Sequence, residues 1–147
     1  MVFCTLFDSY YLDKGIVLYR SLEKAAANFR LYIYAFDDKA YEALNALNFK
    51  NAVILKETDL RTAYPVLEKI KTERSKAEYC WTCTPASIEY ILDKYGEDNC
   101  TYIDADLFFF SDPDVLLQEI RDDPPQLKTP HALFEEVIIV DSTGQEV

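Results

Sequence analysis

Two aspartates separated by one residue, Asp104 and Asp106, are the side chains of this sequence best suited to chemistry. They follow an apolar run from Cys100 to Ile103 and precede another from Leu107 to Phe110. Burying unpaired carboxylates there would be costly, whereas hard oxygen ligands suit Mg²⁺ or Mn²⁺. In extended backbone, residues i and i+2 point to the same side, so both carboxylates are predicted to reach one divalent ion. The alternative is that both cap the following loop and face water.

The Asp-x-Asp pattern alone carries little weight, because the fourteen aspartates among 147 residues make about one chance match expected. A second match, Asp112 and Asp114, follows Ser111 in a predicted turn and is explained by helix capping and the helix dipole. The prediction for the first pair therefore depends on its place directly after a strand. Ligands of open α/β sheets bind beyond the carboxyl ends of the strands.

The elements that position this pair follow from hydrophobic periodicity and from capping residues. Strands are predicted at residues 2–7, 31–36, 52–56 and 100–103, and helices at 14–28, 40–47, 84–95 and 111–120. Residues 57–80 are predicted to hold one or two helical pieces, and residues 137–140 one more strand. For the helix at 84–95, Thr84 is the predicted N-cap and Pro85 the first helical residue. This alternation predicts an α/β fold, a mostly parallel sheet flanked by helices.

The net charge of −11 limits the partners of the chain. Nucleic acids and anionic membranes would be repelled, so neither is a predicted partner. A nucleotide diphosphate would also be repelled, which predicts a bridging cation. The N-terminus lacks the basic region of a secretory signal, and no apolar run reaches membrane-spanning length. The sequence therefore predicts a cytoplasmic chain without a transmembrane segment.

The four cysteines, Cys4, Cys80, Cys83 and Cys100, do not form a disulfide-scaffold pattern in a chain of this length, which favours reduced thiols. The Cys80-x-x-Cys83 spacing could bind zinc or exchange disulfides. Structural zinc needs a second such pair, and an exchange site needs the motif directly after a strand. The favoured interpretation is buried or half-buried thiols.

The run Val2-Phe-Cys-Thr-Leu-Phe-Asp8, followed by Cys100-Thr-Tyr-Ile-Asp-Ala-Asp-Leu-Phe-Phe-Phe-Ser-Asp-Pro113, resembles the GT-A glycosyltransferases, particularly the family-8-like group. The resemblance spans most of residues 1–120 and is specific in the order of its parts. It implies a Rossmann-like domain that binds a nucleotide-diphosphate sugar, most often a UDP-sugar. It also implies Mn²⁺ or Mg²⁺ held by Asp104 and Asp106, and transfer of the sugar to an unknown acceptor.

The same resemblance implies which residues contact the donor, at the end of the first strand and in the Asp-x-Asp motif. They are Thr5, Leu6, Phe7, Asp8, Tyr10, Asp104, Ala105 and Asp106. Two of these have alternatives that the sequence leaves open. Asp8 could be a loop carboxylate at a helix start, and Tyr10 could be a packing residue.

The chain departs from the family in several respects. The acceptor-binding half is absent, and no catalytic residue is identified. The one histidine, His131, follows the motif too soon to be the expected third metal ligand. The helix before the motif has no basic residue at 84–88 to meet phosphates. Residues 1–121 are therefore predicted to be the nucleotide-sugar-binding domain and 122–147 a divergent or truncated segment.

Two other functions compete with a glycosyltransferase. A haloacid-dehalogenase-like phosphatase would use the first aspartate of Asp-x-Asp as a nucleophile, but its motif belongs on the first strand. A non-catalytic receiver-like or nucleotide-binding domain is suggested by the strand-end acids Asp8, Asp37 and Asp38. That fold would need a pair of aspartates after the first strand, where this chain has Asp8-Ser9.

Overall fold

A computed structural model of the chain describes residues 1–115 and 118. The strands are β1 (Val2–Phe7), β2 (Arg30–Ala35), β3 (Ala52–Lys56) and β4 (Thr101–Tyr102). The helices are α1 (Leu12–Ala25), α2 (Asp38–Ala46), α3 (Glu57–Ala63), α4 (Val66–Glu73) and α5 (Lys76–Tyr95). The predicted α/β class is confirmed.

Within the described residues, the four strands form one parallel sheet in the order β3-β2-β1-β4, consistent with a Rossmann-like fold. The chain moves outward from β1 through β2 to β3 and then crosses back to add β4 on the other side of β1. The strand order therefore reverses between β1 and β4. Such a switch point is the usual place of a ligand crevice in open α/β sheets.

The strands read as continuous apolar runs because helices cover both faces of the sheet. On one face, Phe3 and Phe7 of β1 pack with buried residues of α1 and α2. On the other face, Cys4 and Leu6 pack with buried residues of α3, α4 and α5. The hydroxyl of Tyr34 donates to the carbonyl of Ser87 at 2.9 Å and so fixes α5 against β2. The two faces of β1 thus hold the two helical layers.

The helix α5 begins at Lys76, so the prediction that a helix starts at Thr84 is wrong. Its N-terminus is a capping box, in which the Ser75 hydroxyl accepts from the Glu78 amide at 3.4 Å and the Glu78 carboxylate accepts from the Ser75 amide at 2.9 Å. Pro85 lies inside the helix, where it removes one backbone hydrogen bond. The buried residues of α5 on both sides of Pro85, Tyr79, Cys83, Ser87, Ile88 and Ile91, offset that loss by packing on the sheet.

The predicted bounds of the first three strands and the first two helices agree with the structure to within a few residues. The one or two helical pieces predicted between residues 57 and 80 are α3, α4 and the first turn of α5. The helix predicted at 111–120 lies partly outside the described residues. The strand β4 is shorter than predicted. The chain divides into two compact units, Met1–Pro113 and Asp114–Val147. In the second unit the Gln118 amide donates to the Asp114 carboxylate at 2.6 Å. The strand predicted at 137–140, the segment 122–147 and His131 lie outside the described residues.

One glycine allows α1 to approach β1 closely. A Cβ atom on Gly15 would lie 2.2 Å from Cζ of the Phe7 ring, far inside van der Waals contact. Phe7 is only 4% exposed and packs into the core, so its ring has little room to move. Gly15 therefore sets the position of the first turns of α1 over the end of β1.

We expect Gly15→Ala to lower the free energy of unfolding by about 1–2 kcal/mol, since overpacking exceeds the gain in helix propensity. Urea unfolding would measure the change. The double variant Gly15→Ala/Phe7→Leu should lose less stability than the sum of its single variants, because the smaller side chain relieves the contact. A Gly15→Ala variant as stable as the parent chain would contradict this packing.

Candidate functional site

The two strands at the switch point end in aspartates. Asp8 follows the last residue of β1, and Asp104 follows β4 after Ile103. β1 and β4 are paired in parallel, with Cys4 opposite Tyr102, so both strands present their carboxyl ends at the same edge. The amide of Ile103 donates to the Cys4 carbonyl at 2.9 Å and continues this pairing up to the motif. The sheet therefore brings the ends of β1 and β4 to one edge.

The Asp-x-Asp motif itself forms a turn. The amide of Leu107 donates to the carbonyl of Asp104 at 3.3 Å, with Ala105 and Asp106 between them. The expectation of extended backbone through the pair is therefore wrong. The side chains of Asp104 and Asp106 are exposed, whereas Ala105 is buried with Ile103 in the core. The apolar neighbours thus pack inward, and the turn keeps both carboxylates in solvent, which is what the alternative interpretation of the pair expects; the metal-binding role stays a prediction.

A tyrosine and a threonine lie next to Asp104 on the α5 side. Burial raises the pKa of Tyr102, the neighbouring Asp104 carboxylate raises it further, and the nearby Thr84 side chain partly opposes this. Tyr102 therefore stays a neutral phenol at physiological pH. Thr84 is a mid-helix residue whose hydroxyl donates to the Cys80 carbonyl at 3.3 Å. Tyr102 on β4 and Thr84 on α5 therefore lie close to each other beside Asp104.

A lysine that the sequence interpretation missed lies at the same edge. Lys76, the first residue of α5, forms an ion pair with Asp8, whose side chain is 10% exposed while that of Lys76 is 75% exposed. This contact raises the pKa of Lys76. The other oxygen of Asp8 accepts from the Tyr10 amide at 3.0 Å. Lys76 is thus a basic residue on α5, the helix that precedes the Asp-x-Asp motif in the chain. It lies one turn before Cys80 and two turns before Thr84.

The loop after β1 is held by the end of β2. Asp37 is the N-cap of α2, and it accepts from the Ala40 amide at 2.7 Å and from the Ser9 amide at 2.9 Å. Burial alone would raise the pKa of Asp37, but these two backbone hydrogen bonds lower it below its ordinary value. A charged carboxylate therefore ties the loop that contains Asp8 to α2.

The remaining residues of the predicted donor contact differ in exposure. Thr5, Leu6 and Phe7 are buried, and the Thr5 hydroxyl has no hydrogen-bond partner among the residues that the structure describes. Tyr10 is 83% exposed and touches Tyr11 edge-on, with 5.6 Å between ring centroids. The ring of Tyr10 is therefore free to stack on a ligand, and the roles of all these residues stay predictions.

The donor atoms at this edge suit a metal ion shared with a ligand. Among residues 1–115 and 118, no group of three or more histidines, cysteines or acids is arranged to hold a metal. Two exposed carboxylates nevertheless fit Mg²⁺-like ions, which are usually bound by one or two carboxylates together with substrate phosphates. Asp104 and Asp106 therefore fit a phosphate-bridging ion better than a metal enclosed by protein.

A buried charge cluster holds the N-terminal half of α5 in place. Glu57 follows β3 directly and is 5% exposed. Its carboxylate accepts from Arg61 Nε at 2.8 Å, from Lys71 Nζ at 3.1 Å and from the Tyr79 hydroxyl at 2.5 Å. Because these donors come from α3, α4 and α5, the cluster ties three helices to the end of β3. It thereby positions the part of α5 that carries Lys76.

The cysteines agree with the interpretation as structural thiols. All four are free, with Cys4 and Cys83 buried and Cys80 and Cys100 half-buried. Burial raises the pKa of Cys83 to about 11 and also raises that of Cys80. Both thiols of the Cys80-x-x-Cys83 motif are therefore protonated at neutral pH, which does not favour nucleophilic chemistry.

In the described part of the chain, no helix has the length and apolar character needed to cross a membrane. No protein-family model matches the sequence. Uncharacterized protein YfnF of Bacillus subtilis (strain 168) is 30% identical over 121 residues, which cover 82% of this chain and 39% of YfnF. Uncharacterized protein YfnD of the same organism is 31% identical over 118 residues, 80% of this chain and 37% of YfnD. The chain thus spans less than two fifths of the length of these curated relatives, whose names assign no activity.

Proposed function

We propose that this chain is the donor-binding part of a GT-A type glycosyltransferase of the family-8-like group. It binds a nucleotide-diphosphate sugar, preferably a UDP-sugar, together with Mn²⁺ or Mg²⁺. The sugar is transferred to an acceptor. The observation that supports this most strongly is the exposed Asp104–Asp106 turn, which lies at the carboxyl end of β4 beside the switch point with β1.

The charges at this edge support a diphosphate ligand. Asp104 and Asp106 would hold the divalent cation, which when bound stabilises the leaving nucleoside diphosphate as a Lewis acid. Lys76, at the N-terminus of α5, provides a positive charge at the end of β1, where it pairs with Asp8. In a protein with a net charge of −11, a phosphate-binding site needs such local cations.

The residues around the pair are suited to positioning rather than to proton transfer. Tyr102 is a neutral phenol beside Asp104, so its hydroxyl helps to hold the Asp104 carboxylate. The exposed ring of Tyr10 offers a face for a base. Asp37 holds the backbone of Ser9 and thus the loop that carries Tyr10. The pattern of reduced cysteines supports a cytoplasmic site of action.

Thermal unfolding with ligands tests this function. UDP or a UDP-sugar at a hundredfold over its dissociation constant should stabilise the chain by about 2.7 kcal/mol, with Mn²⁺ present and not with EDTA. GDP-sugars serve as the comparison for the base. Stabilisation by beryllofluoride without nucleotide would instead support the phosphatase or receiver-like interpretation. Indifference to every nucleotide diphosphate would overturn the proposal.

A further inference from the structure

The long helix α5 has two opposite rows of residues, each spaced by four positions. The buried row faces the sheet and consists of Tyr79, Cys83, Ser87 and Ile91. The outer row is out of step with it by two residues, which places it on the opposite side of the helix. This outer row is exposed along its whole length and consists of Ala77, Trp81, Pro85, Glu89 and Asp93. It therefore points away from the sheet.

The first three residues of the outer row form an apolar surface around one indole. The Trp81 side chain is 72% exposed, with Ala77 one turn before it and Pro85 one turn after it. Small neighbours on both sides leave the faces of the indole open. Tryptophan is enriched at the centres of protein interfaces, where it contributes much of the binding energy. The described residues thus leave uncovered a surface with the composition of an interface centre.

Opposite charges lie at the two ends of this apolar surface. Arg74 directly precedes α5, and its guanidinium donates to the Thr82 hydroxyl at 2.7 Å. Glu89 and Asp93 continue the outer row at the other end. Within the described residues, none of these three charged side chains forms an ion pair. The carboxylate of Glu78 is engaged in the capping box of α5. The apolar surface therefore has a free cation before it and free carboxylates after it.

We propose that the outer row is the interface of a homodimer, in which the α5 helices of two copies run antiparallel about a two-fold axis at Trp81. A two-fold interface requires a surface that is complementary to itself. In this arrangement the two indoles contact each other, and Ala77 of one copy faces Pro85 of the other. Glu89 of each copy lies opposite the segment just before the other copy's α5, next to Arg74. Apolar residues thus meet apolar residues, and Glu89 meets Arg74.

The dimer must rest on these local contacts, because a net charge of −11 on each copy opposes association. A tryptophan buries about 150–250 Å², so two of them with small neighbours stay below the standard interface of about 1,600 Å². Exposed ion pairs add little affinity but fix the orientation of an interface. Glu73, the acid nearest to Arg74 in the chain, lies 3.8 Å from Lys69 in an ion pair. We therefore expect a weak dimer whose direction is set by Arg74 and Glu89.

Sedimentation equilibrium of the full chain without nucleotide tests the dimer independently of the proposed function. A suitable range is about 1–200 µM, since an interface of this size should dissociate there. Trp81 is the only tryptophan of the sequence, so tryptophan fluorescence reports the burial of this surface alone. We expect the mass to rise towards that of a dimer, and the emission to move to shorter wavelength over the same concentrations.

Trp81→Ala should weaken the dimer at least tenfold, as expected for the central residue of an interface. The matched control is Phe110→Ala, which removes an aromatic side chain that is 92% exposed and lies outside α5. It should leave the dissociation constant within twofold. A chain that is monomeric at every concentration, or a dimer insensitive to Trp81→Ala, would overturn the proposal. Short-wavelength emission from a monomer would show that the same chain covers Trp81, with the same consequence.

Charge reversal tests the antiparallel direction. Arg74→Glu and Glu89→Lys should each weaken the dimer at least threefold, because each brings like charges together. The double variant keeps the parent's net charge and should regain the parent's affinity. Lys94→Glu changes the net charge as Arg74→Glu does, at an exposed α5 residue outside the outer row, and should have less than a twofold effect. A double variant no tighter than the single variants would rule out this pairing.

Discussion

Glu57→Gln is expected to lower the free energy of unfolding by about 2–3 kcal/mol, the largest loss of stability that we expect from a single polar substitution in this fold. The carboxylate accepts hydrogen bonds from Arg61, Lys71 and Tyr79. Hydrogen bonds to charged groups contribute about 1.5–3 kcal/mol, and removing one partner of a buried pair leaves the others uncompensated. Arg61 and Lys71 can partly turn to solvent, with side chains 23% and 43% exposed, which keeps the loss at the lower end. Urea unfolding gives the value.

The control for this variant is Glu68→Gln. Glu68 is also an ion-pair partner of Arg61, but its side chain is 62% exposed. Exposed pairs contribute roughly 0–1 kcal/mol, so Glu68→Gln should change stability by less than that. Equal losses of unfolding free energy in the two variants would show that the buried carboxylate of Glu57 stabilises the fold no more than an exposed one.

The difference between the parent chain and Glu57→Gln should depend on pH. Burial by itself raises the pKa of Glu57, but the hydrogen bonds from Tyr79, Lys71 and Arg61 lower it to a net value below the ordinary 4.5. A lowered folded-state pKa contributes stability that is present above 4.5 and disappears as the pH falls through the folded-state value. The stability deficit of Glu57→Gln should therefore shrink in acid. A deficit that grows in acid would show that the pKa of Glu57 is raised in the folded chain and not lowered.

Asp104→Asn is expected to weaken metal-dependent binding of UDP by at least a hundredfold, and Asp106→Asn similarly. Substituting groups that only support metal ligands already costs about 10–100-fold in affinity, and loss of a charged ligand oxygen should cost more. Both side chains are exposed, so neither substitution should lower the free energy of unfolding by more than about 0.5 kcal/mol. Calorimetric titration of UDP in Mn²⁺ measures the affinity.

The matched control is Asp98→Asn. Asp98 is an exposed aspartate in the loop between α5 and β4, before the strand rather than after it. The substitution changes the net charge equally, so it separates direct ligation from the general field of an acidic protein. Asp98→Asn should bind UDP within twofold of the parent chain. Equal weakening in the Asp98 and Asp104 variants would mean that these aspartates act only through net charge.

Local patterns were enough to predict most strands and helices. β1 and β3 are confirmed at their predicted bounds because both are apolar runs ended by polar residues. The start of α5 was not predicted, since Thr84-Pro85 resembles an N-terminus more strongly than the Ser75-x-x-Glu78 capping box does. The capping box was visible in the sequence and would have identified the start. Packing on the sheet outweighed the cost of a proline inside the helix.

The candidate site was only partly predictable, because its residues are distant in the sequence. The Asp104–Asp106 pair was found from its place after a strand, but its turn depends on the inward packing of Ala105 and Leu107. The ion pair of Lys76 with Asp8 depends on the crossover that returns α5 to β1. No local pattern contains that crossover, so the pairing of Lys76 with the end of β1 emerged only from the fold.

The most direct test of the account is the coupling between Mn²⁺ and UDP. If Asp104 and Asp106 hold an ion that also contacts the diphosphate, each ligand must raise the affinity of the other by the same factor. Electron paramagnetic resonance of free Mn²⁺ gives the metal affinity with and without UDP, and calorimetry gives the UDP affinity with Mn²⁺ or EDTA. We predict at least a tenfold increase in both directions, which Asp104→Asn abolishes. An Mn²⁺ affinity that UDP does not change, or UDP binding that is equally strong in EDTA, would contradict the account.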